Sequence, residues 1–429
     1  MRDAEGALTL NGAGEAVEWV VLMRRFDQAG LFDRLAQSGH LTPELLVRLA
    51  DAVAAFHDSA EPVPEQPGGP GWVIEENAGE FAERPDLFAP DQAEALTAAA
   101  RSALAGTAGL LEQRKARGLV RRCHGDLHLR NVCLIAGQPT LFDAIEFNDA
   151  IACIDVFYDL AFLLMDLDHR GLRPAANLVF NRYLRRSGDL DALPALPLFL
   201  SLRAAVRAKV SASAALSQDN DDARRRLEDE ARAYFAAAAA YLAPAPARLV
   251  AVGGFSGSGK STLARALAPT LGAAPGALHL RSDVVRKALY GVEDLTPLPD
   301  DSYRPEASAR VYAELLVQAR RALAAGQAAV LDAVYVKPEG RHELEALAEQ
   351  VGVGFTGLWL EAPREVLFAR AAARRADASD ATAAVVAGQL AEDPGAITWH
   401  RLEASGAPAD LVSEAERVIA ESSPVPFNR

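Results

Sequence analysis

The chain has 429 residues, 50% of them apolar and 24% charged, with a formal net charge of −14. That length suggests two domains of ordinary globular composition. The acidic balance disfavours non-specific binding to nucleic acid or to an anionic membrane.

In chain order, residues 7–10 and 17–22 are short apolar runs around Asn11-Gly12-Ala13-Gly14, which predicts a hairpin. No apolar signal-peptide core precedes them, so a cytoplasmic protein is expected. Residues 43–57 have helical periodicity behind Pro43. Residues 61–71, rich in Pro and Gly, predict a loop. A second helix is expected over 91–117, opened by Pro90-Asp91. Between 120 and 165 the pattern predicts two short strands around a Gln138-Pro139 turn, then a helix after Asp155. Residues 174–242 read as helical throughout. The apolar tract Tyr234–Leu242 is too short to span a bilayer. Cys123, Cys133 and Cys153 form no metal-binding pattern and predict buried free thiols.

Ala243-Pro-Ala-Pro-Ala247 is a stiff linker, dividing 1–243 from 244–429. Beyond it, strand-like runs (LVAVGGF, ALHLRSD, AAVLDAVY, GFTGLWLEA) alternate with amphipathic helices. That alternation predicts an α/β fold with a parallel sheet wrapped by helices.

The run Gly254-Phe-Ser-Gly-Ser-Gly259-Lys260-Ser261 has the spacing G-x-x-x-x-G-K-[ST], between an apolar strand and a helix over 261–271. Its glycines let successive amides converge on one anion, and the helix adds its positive end. Gly254, Ser256, Gly257, Ser258, Gly259, Lys260, Ser261 and Thr262 are the expected phosphate-binding set. Lys260 is expected at the β- and γ-phosphates of ATP, and Ser261 on Mg²⁺.

Asp283 and Asp332 each end a predicted strand, where ligands of open α/β sheets sit. Asp332 fits a metal-binding aspartate and Asp283 a base for an acceptor hydroxyl. The reverse assignment stays open, as does a helix-capping role for either. Arg286 lies one helical turn beyond Asp283, expected to face the same cleft. Arg370 and Arg374 share a helical face. They read equally well as transition-state arginines or as a solvated basic face balanced by Asp377 and Asp380.

The order P-loop, Ser-Asp-x-x-Arg, Val-Leu-Asp-Ala and an Arg-rich segment resembles bacterial two-domain proteins. In these an aminoglycoside-phosphotransferase-like domain is fused to a P-loop, AAA-type kinase-like domain. Residues 249–400 are also similar to the gluconate kinase, polynucleotide kinase and chloramphenicol phosphotransferase group. The resemblance implies Asp283 as base, Arg286 as substrate contact, and Arg370 or Arg374 as lid arginines.

In the N-terminal half, His124-Gly-Asp126-Leu-His128-Leu-Arg-Asn131 has kinase catalytic-loop spacing. Asp126 would deprotonate an acceptor, while Asn131 and Asp143 would hold Mg²⁺. The stretch resembles the HGDxHxxN loop of aminoglycoside and choline phosphotransferases, and implies a mostly helical protein-kinase-like C-lobe. His128 and Glu146 match family positions too, with support of the loop as the alternative role. The lysine and glutamate such kinases place on the nucleotide are missing before His124. The expectation is therefore a remnant N-lobe, or a start that truncates a longer protein, and weak ATP binding in this half.

These features predict a kinase for a small hydroxylated substrate, with ATP and Mg²⁺ as cofactors. An ATP-sensing module with a degenerate kinase-like domain is the alternative from another class. A kinase for nucleic-acid ends is a third, disfavoured by the charge. The acceptor and the oligomeric state are not encoded in any recognisable pattern.

Overall fold

The computed structural model describes residues 7–422, apart from 11, 13, 15, 19, 21–26 and 374–376. Six of the sixteen residues of the expected hairpin over 7–22 lie outside that set. So do Arg374 and Arg375.

The N-terminal region is mostly helical. Its helices are α1 (Phe32–Gln37), α2 (Pro43–Ser59), α3 (Pro70–Ala82) and α4 (Pro90–Ala116). Strand β1 (Val120–Arg122) and hairpin strands β2 (Val132–Ile135) and β3 (Gln138–Leu141) follow, then α5 (Asp149–Ala152) and β4 (Cys153–Asp155). Helices α6 (Val156–His169), α7 (Arg173–Ser187), α8 (Leu196–Leu216) and α9 (Asp221–Tyr241) complete the region. Proline sits at the first turn of α2, α3 and α4, where its missing N–H costs nothing. Asp155 caps α6 by accepting the Phe157 N–H at 2.8 Å.

The hairpin turn differs from expectation. It falls at Ala136 and Gly137, both with positive φ, and Pro139 lies within β3 opposite Leu134. A proline is tolerated there because the ribbon has only two strands, so its missing N–H can face outward.

From Arg248 onward the chain alternates strand and helix: β5 (Arg248–Gly254), α10 (Lys260–Leu267), β6 (Leu278–Arg281), α11 (Ser282–Leu289), α12 (Pro305–Ala324) and β7 (Ala329–Asp332). Then come α13 (Pro338–Val351), β8 (Gly354–Glu361), α14 (Arg364–Ala373), α15 (Ala383–Ala391), β9 (His400–Glu403) and α16 (Pro408–Glu421). The sheet has order β6-β7-β5-β8-β9, with every pair parallel. The fold is mixed α/β, as the alternation predicts.

Alternation along β5 builds both faces of the sheet. Leu249 and Ala251 join an apolar cluster that runs on into the N-terminal helices. Val250 and Val252 join a second cluster with Leu263 and Leu267 of α10 and Val418 and Ile419 of α16. One core thus spans the linker. Helix α7 also covers the free edge of β6: Asn181 Oδ1 accepts the His279 N–H at 2.7 Å, and Asn177 Nδ2 donates to the Ala277 carbonyl at 3.0 Å. Arg182 and Arg185 reach Asp294 at 2.9 and 2.7 Å across the same junction.

Candidate active sites

The C-terminal site lies where β5, β6 and β7 end. After β5 the chain turns tightly into α10, with φ of +87° at Gly257 and +99° at Gly259. Both values lie in the region that only glycine enters without strain. A Cβ on Gly257 would collide with the Leu367 carbonyl oxygen of α14, so the lid helix sits directly on the loop. The Lys260 ammonium, nearly buried, donates to the Phe255 carbonyl at 3.0 Å within the loop. The hydroxyl of Ser258 is buried without a partner, as a side chain facing an anion cradle would be. Ser261 and Thr262 stand in the first turn of α10, whose positive end faces the loop.

Asp332 is the last residue of β7 and pairs in register with Arg281, the last of β6. Its carboxylate Oδ2 is buried, 3.5 Å from Arg281 Nε and 3.7 Å from His279 Nε2, and none of the three atoms has a hydrogen-bond partner. Burial opposes its ionisation, but His279 and Arg281 outweigh burial and hold the carboxyl down at about 2. A permanently ionised, under-coordinated carboxylate oxygen beside the loop fits a divalent cation.

Asp283 lies in the first turn of α11. Burial raises its carboxyl above the usual range, with the nearby Asp332 charge adding to the rise and Arg281 opposing it. The two carboxylates, one ending β7 and one just beyond β6, are therefore pushed in opposite directions, the pattern by which acid–base and charge-holding roles separate. Asp283 is the second residue of α11 rather than the end of a strand, the cap position is Arg281, and no side-chain cap bond opens the helix.

Arg286 is buried rather than open to the cleft. It donates to the Ser302 carbonyl at 2.5 Å and the Ser308 hydroxyl at 3.3 Å, and stacks over Tyr303 at 4.7 Å. This ties the 299–308 segment beside Asp283. Arg370 donates to the Ala404 carbonyl at 2.8 Å and lies beside Gly259. Asp377 pairs with Arg281 at 3.1 Å, while Asp380 takes Lys287 at 2.6 Å and the Tyr303 hydroxyl at 2.5 Å. Those pairings fold the 377–380 segment over the mouth of the site.

The N-terminal loop is also formed. Asn131 Nδ2 donates to the Asp126 carboxylate at 2.9 Å, and His128 Nε2 lies 3.3 Å from it. Burial opposes ionisation of Asp126, and His128, Asn131 and Arg203 reverse that, so its carboxyl stays below the usual range. Asp143 is exposed, with φ +61°. No hydrogen bond joins it to Asn131 among the described residues.

Sequence reading missed what holds this loop. Asp159 of α6, fully buried, accepts the His124 N–H at 3.1 Å and the Gly125 N–H at 2.9 Å. His57 Nε2 meets Asp159 at 3.1 Å, its Nδ1 meets the Tyr183 hydroxyl at 2.8 Å, and Arg203 donates to the Gly125 carbonyl. His57, Asp159 and buried Cys123 lie within ligand reach of one another. Hydrogen bonds already engage all three, Cys123 through the Ile154 carbonyl, so they read as an anchor. The three cysteines are free and buried, as expected.

Among the described residues no helix is long and apolar enough to cross a membrane. Residues 9–196 match the phosphotransferase enzyme family, and residues 249–392 match the AAA domain family. Uncharacterized proteins of Mycobacterium bovis and Mycobacterium tuberculosis are 29% identical over 416 residues, covering 95% of this chain and 82% of theirs. Among solved structures, a gluconokinase from Sinorhizobium meliloti is 26% identical, over 41% of this chain and 92% of that one, with a TM-score of 0.29. A sugar kinase from Janibacter is 23% identical, over 41% of this chain and 95% of that one, with a TM-score of 0.30. The chain thus carries a segment that matches the phosphotransferase enzyme family, followed by one that matches the AAA domain family and holds the phosphate loop.

Proposed function

We propose that the chain is a cytoplasmic ATP-dependent kinase for a small hydroxylated substrate, acting through a C-terminal domain spanning 244–429. The observation that carries this reading is Asp283. It is a carboxyl of raised proton affinity at the strand ends, beside a phosphate loop, where a nucleotide switch needs no base.

The residues divide the work by position. The amides of 254–261 and Lys260 hold the triphosphate and fix the γ-phosphorus. Ser261 and Asp332 would hold Mg²⁺, which supplies charge neutralisation between the β- and γ-phosphates. Ionised Asp283 takes the acceptor hydroxyl's proton as that oxygen bonds to the γ-phosphorus. The bond from phosphorus to the bridging oxygen breaks and ADP leaves. Arg286 holds the 299–308 wall against the acceptor, and Arg370 stands at the loop to meet developing charge. In the 1–243 domain, Asp126, Asn131 and Asp143 form a second candidate site of the same reaction class.

The test is acceptor-stimulated ADP release by the full chain, with panels of sugars, polyols, nucleosides and aminoglycosides. A stimulating acceptor, with stimulation lost in Asp283→Asn, is the expected result. Intact ATP binding without stimulation by any acceptor class would overturn the reading.

A further inference from the structure

The lid and the phosphate loop meet at one amide. The Ser256 N–H donates to Oε1 of Gln389 at 2.9 Å. Ser256 is the third residue of the run Gly254–Ser261, whose amides would converge on an anion. Gln389 stands in the last turn of α15. Its side-chain oxygen therefore occupies an amide donor of the loop.

The rest of the lid is suited to moving as a unit. Leu367 and Ala371 of α14 and Val386 of α15 form a small apolar cluster of their own, with Phe368 and Leu390 packed on it. That cluster is separate from the cores on the two faces of the sheet. Phe255 of the loop packs against it, and the Leu367 carbonyl lies over Gly257. Asp377 and Asp380 tie the segment between the two helices to Arg281, Lys287 and Tyr303, and Gln389 is the lid's polar tie to the phosphate loop. A neutral amide oxygen is a weaker acceptor than a phosphate oxygen, which forms charge-assisted hydrogen bonds.

We propose that Gln389 is a latch: without nucleotide it holds the Ser256 N–H and the lid down, and Mg·ATP takes that donor from it. The proposal rests on the reading of residues 254–261 as a triphosphate site. Gln389 is thus a positioning residue that sets nucleotide affinity by competing for the loop, and it touches no reacting atom.

The experiment is calorimetric titration of the full chain with Mg·ATP, for wild type, Gln389→Leu, Gln389→Glu and Lys260→Ala, with hydrogen exchange at the Ser256 amide. Leucine keeps the bulk that packs the lid and removes the acceptor. ATP binding is expected to tighten by about threefold to tenfold, the worth of one neutral hydrogen bond. Glutamate keeps an acceptor, strengthens it and repels phosphate, so binding is expected to weaken. A merely structural contact would not move the two variants in opposite directions. Ser256 should exchange slowly in the nucleotide-free wild type and faster in Gln389→Leu. Unchanged or weaker ATP binding in Gln389→Leu overturns the latch. So does unprotected Ser256 in the wild type, a result that needs no variant to fold. Lys260→Ala separates the two claims: if it binds ATP as wild type does, the triphosphate-site reading itself has failed.

Discussion

Asn181 of α7 accepts the backbone N–H of His279 on β6 at 2.7 Å. A side chain from the phosphotransferase-family part thus supplies the hydrogen bond that a further strand would otherwise make to the edge of the P-loop sheet. An unpaired edge invites association with other chains. Asn181→Leu is expected to destabilise the full chain by about 1 kcal/mol, because it removes the partner of a part-buried donor. Urea denaturation should show a lower midpoint, and light scattering should show a rise in association. A midpoint unchanged from wild type would mean the edge is not held this way.

The buried Asp159 joins two catalytic-loop amides to His57. Arg203 also lies 3.7 Å away, in the same buried surroundings. Removing a partner from such a group leaves charge uncompensated, typically at about 3–5 kcal/mol. Asp159→Ala should therefore lower the unfolding free energy by about that much and raise proteolysis near His124. An effect below about 1 kcal/mol would place the anchor elsewhere.

Asp283 makes a kinetic prediction. Asp283→Asn keeps the shape and removes the base, so acceptor-stimulated turnover should fall by roughly a hundredfold to ten-thousandfold. Mg·ATP affinity should change little. Because burial raises the Asp283 carboxyl, the acidic limb of the wild-type rate profile should lie above the usual carboxylate range. Turnover should rise with pH through that limb. A limb in the ordinary carboxylate range would remove Asp283 from the role.

Asp332, whose carboxyl is shifted the other way, makes a prediction about stability. Its folded carboxyl sits at about 2, below the unfolded value of about 3.9. Its contribution is therefore fully present above the unfolded value and is lost as pH falls through the window between the two. Urea midpoints measured from neutral pH down to about 2 should fall less steeply in Asp332→Asn than in wild type. Parallel curves would mean the Arg281 and His279 neighbours do not hold its charge.

The phosphate loop was legible because it is local: residue types, spacing, the preceding strand and the following helix all lie within one short run. The position of Asp332 is legible for the same reason, since it ends the strand that its apolar run predicts, whereas Asp283 falls two residues past the end of β6, inside α11. The anchor was not, because His57 and Asp159 stand 102 residues apart and nothing near either announces the other. Gln389 was equally silent, being one polar residue on a short helix that meets Ser256 only through the fold of the lid. Strand β9 (His400–Glu403) escaped because it lies at the sheet edge and buries only Leu402, leaving no apolar pattern to read. The turn falls at 136–137 rather than at Gln138-Pro139 because a two-stranded ribbon admits proline within a strand, so proline does not mark the turn.

The most direct test of the central claim compares Mg·ATP binding and acceptor-stimulated ADP release in full-length wild type and Lys260→Ala. A Lys260 ammonium seated in the loop should be needed for both, so the variant should lose the P-loop share of nucleotide binding and the stimulated turnover together. Undiminished turnover in Lys260→Ala would contradict phosphoryl transfer at the C-terminal site.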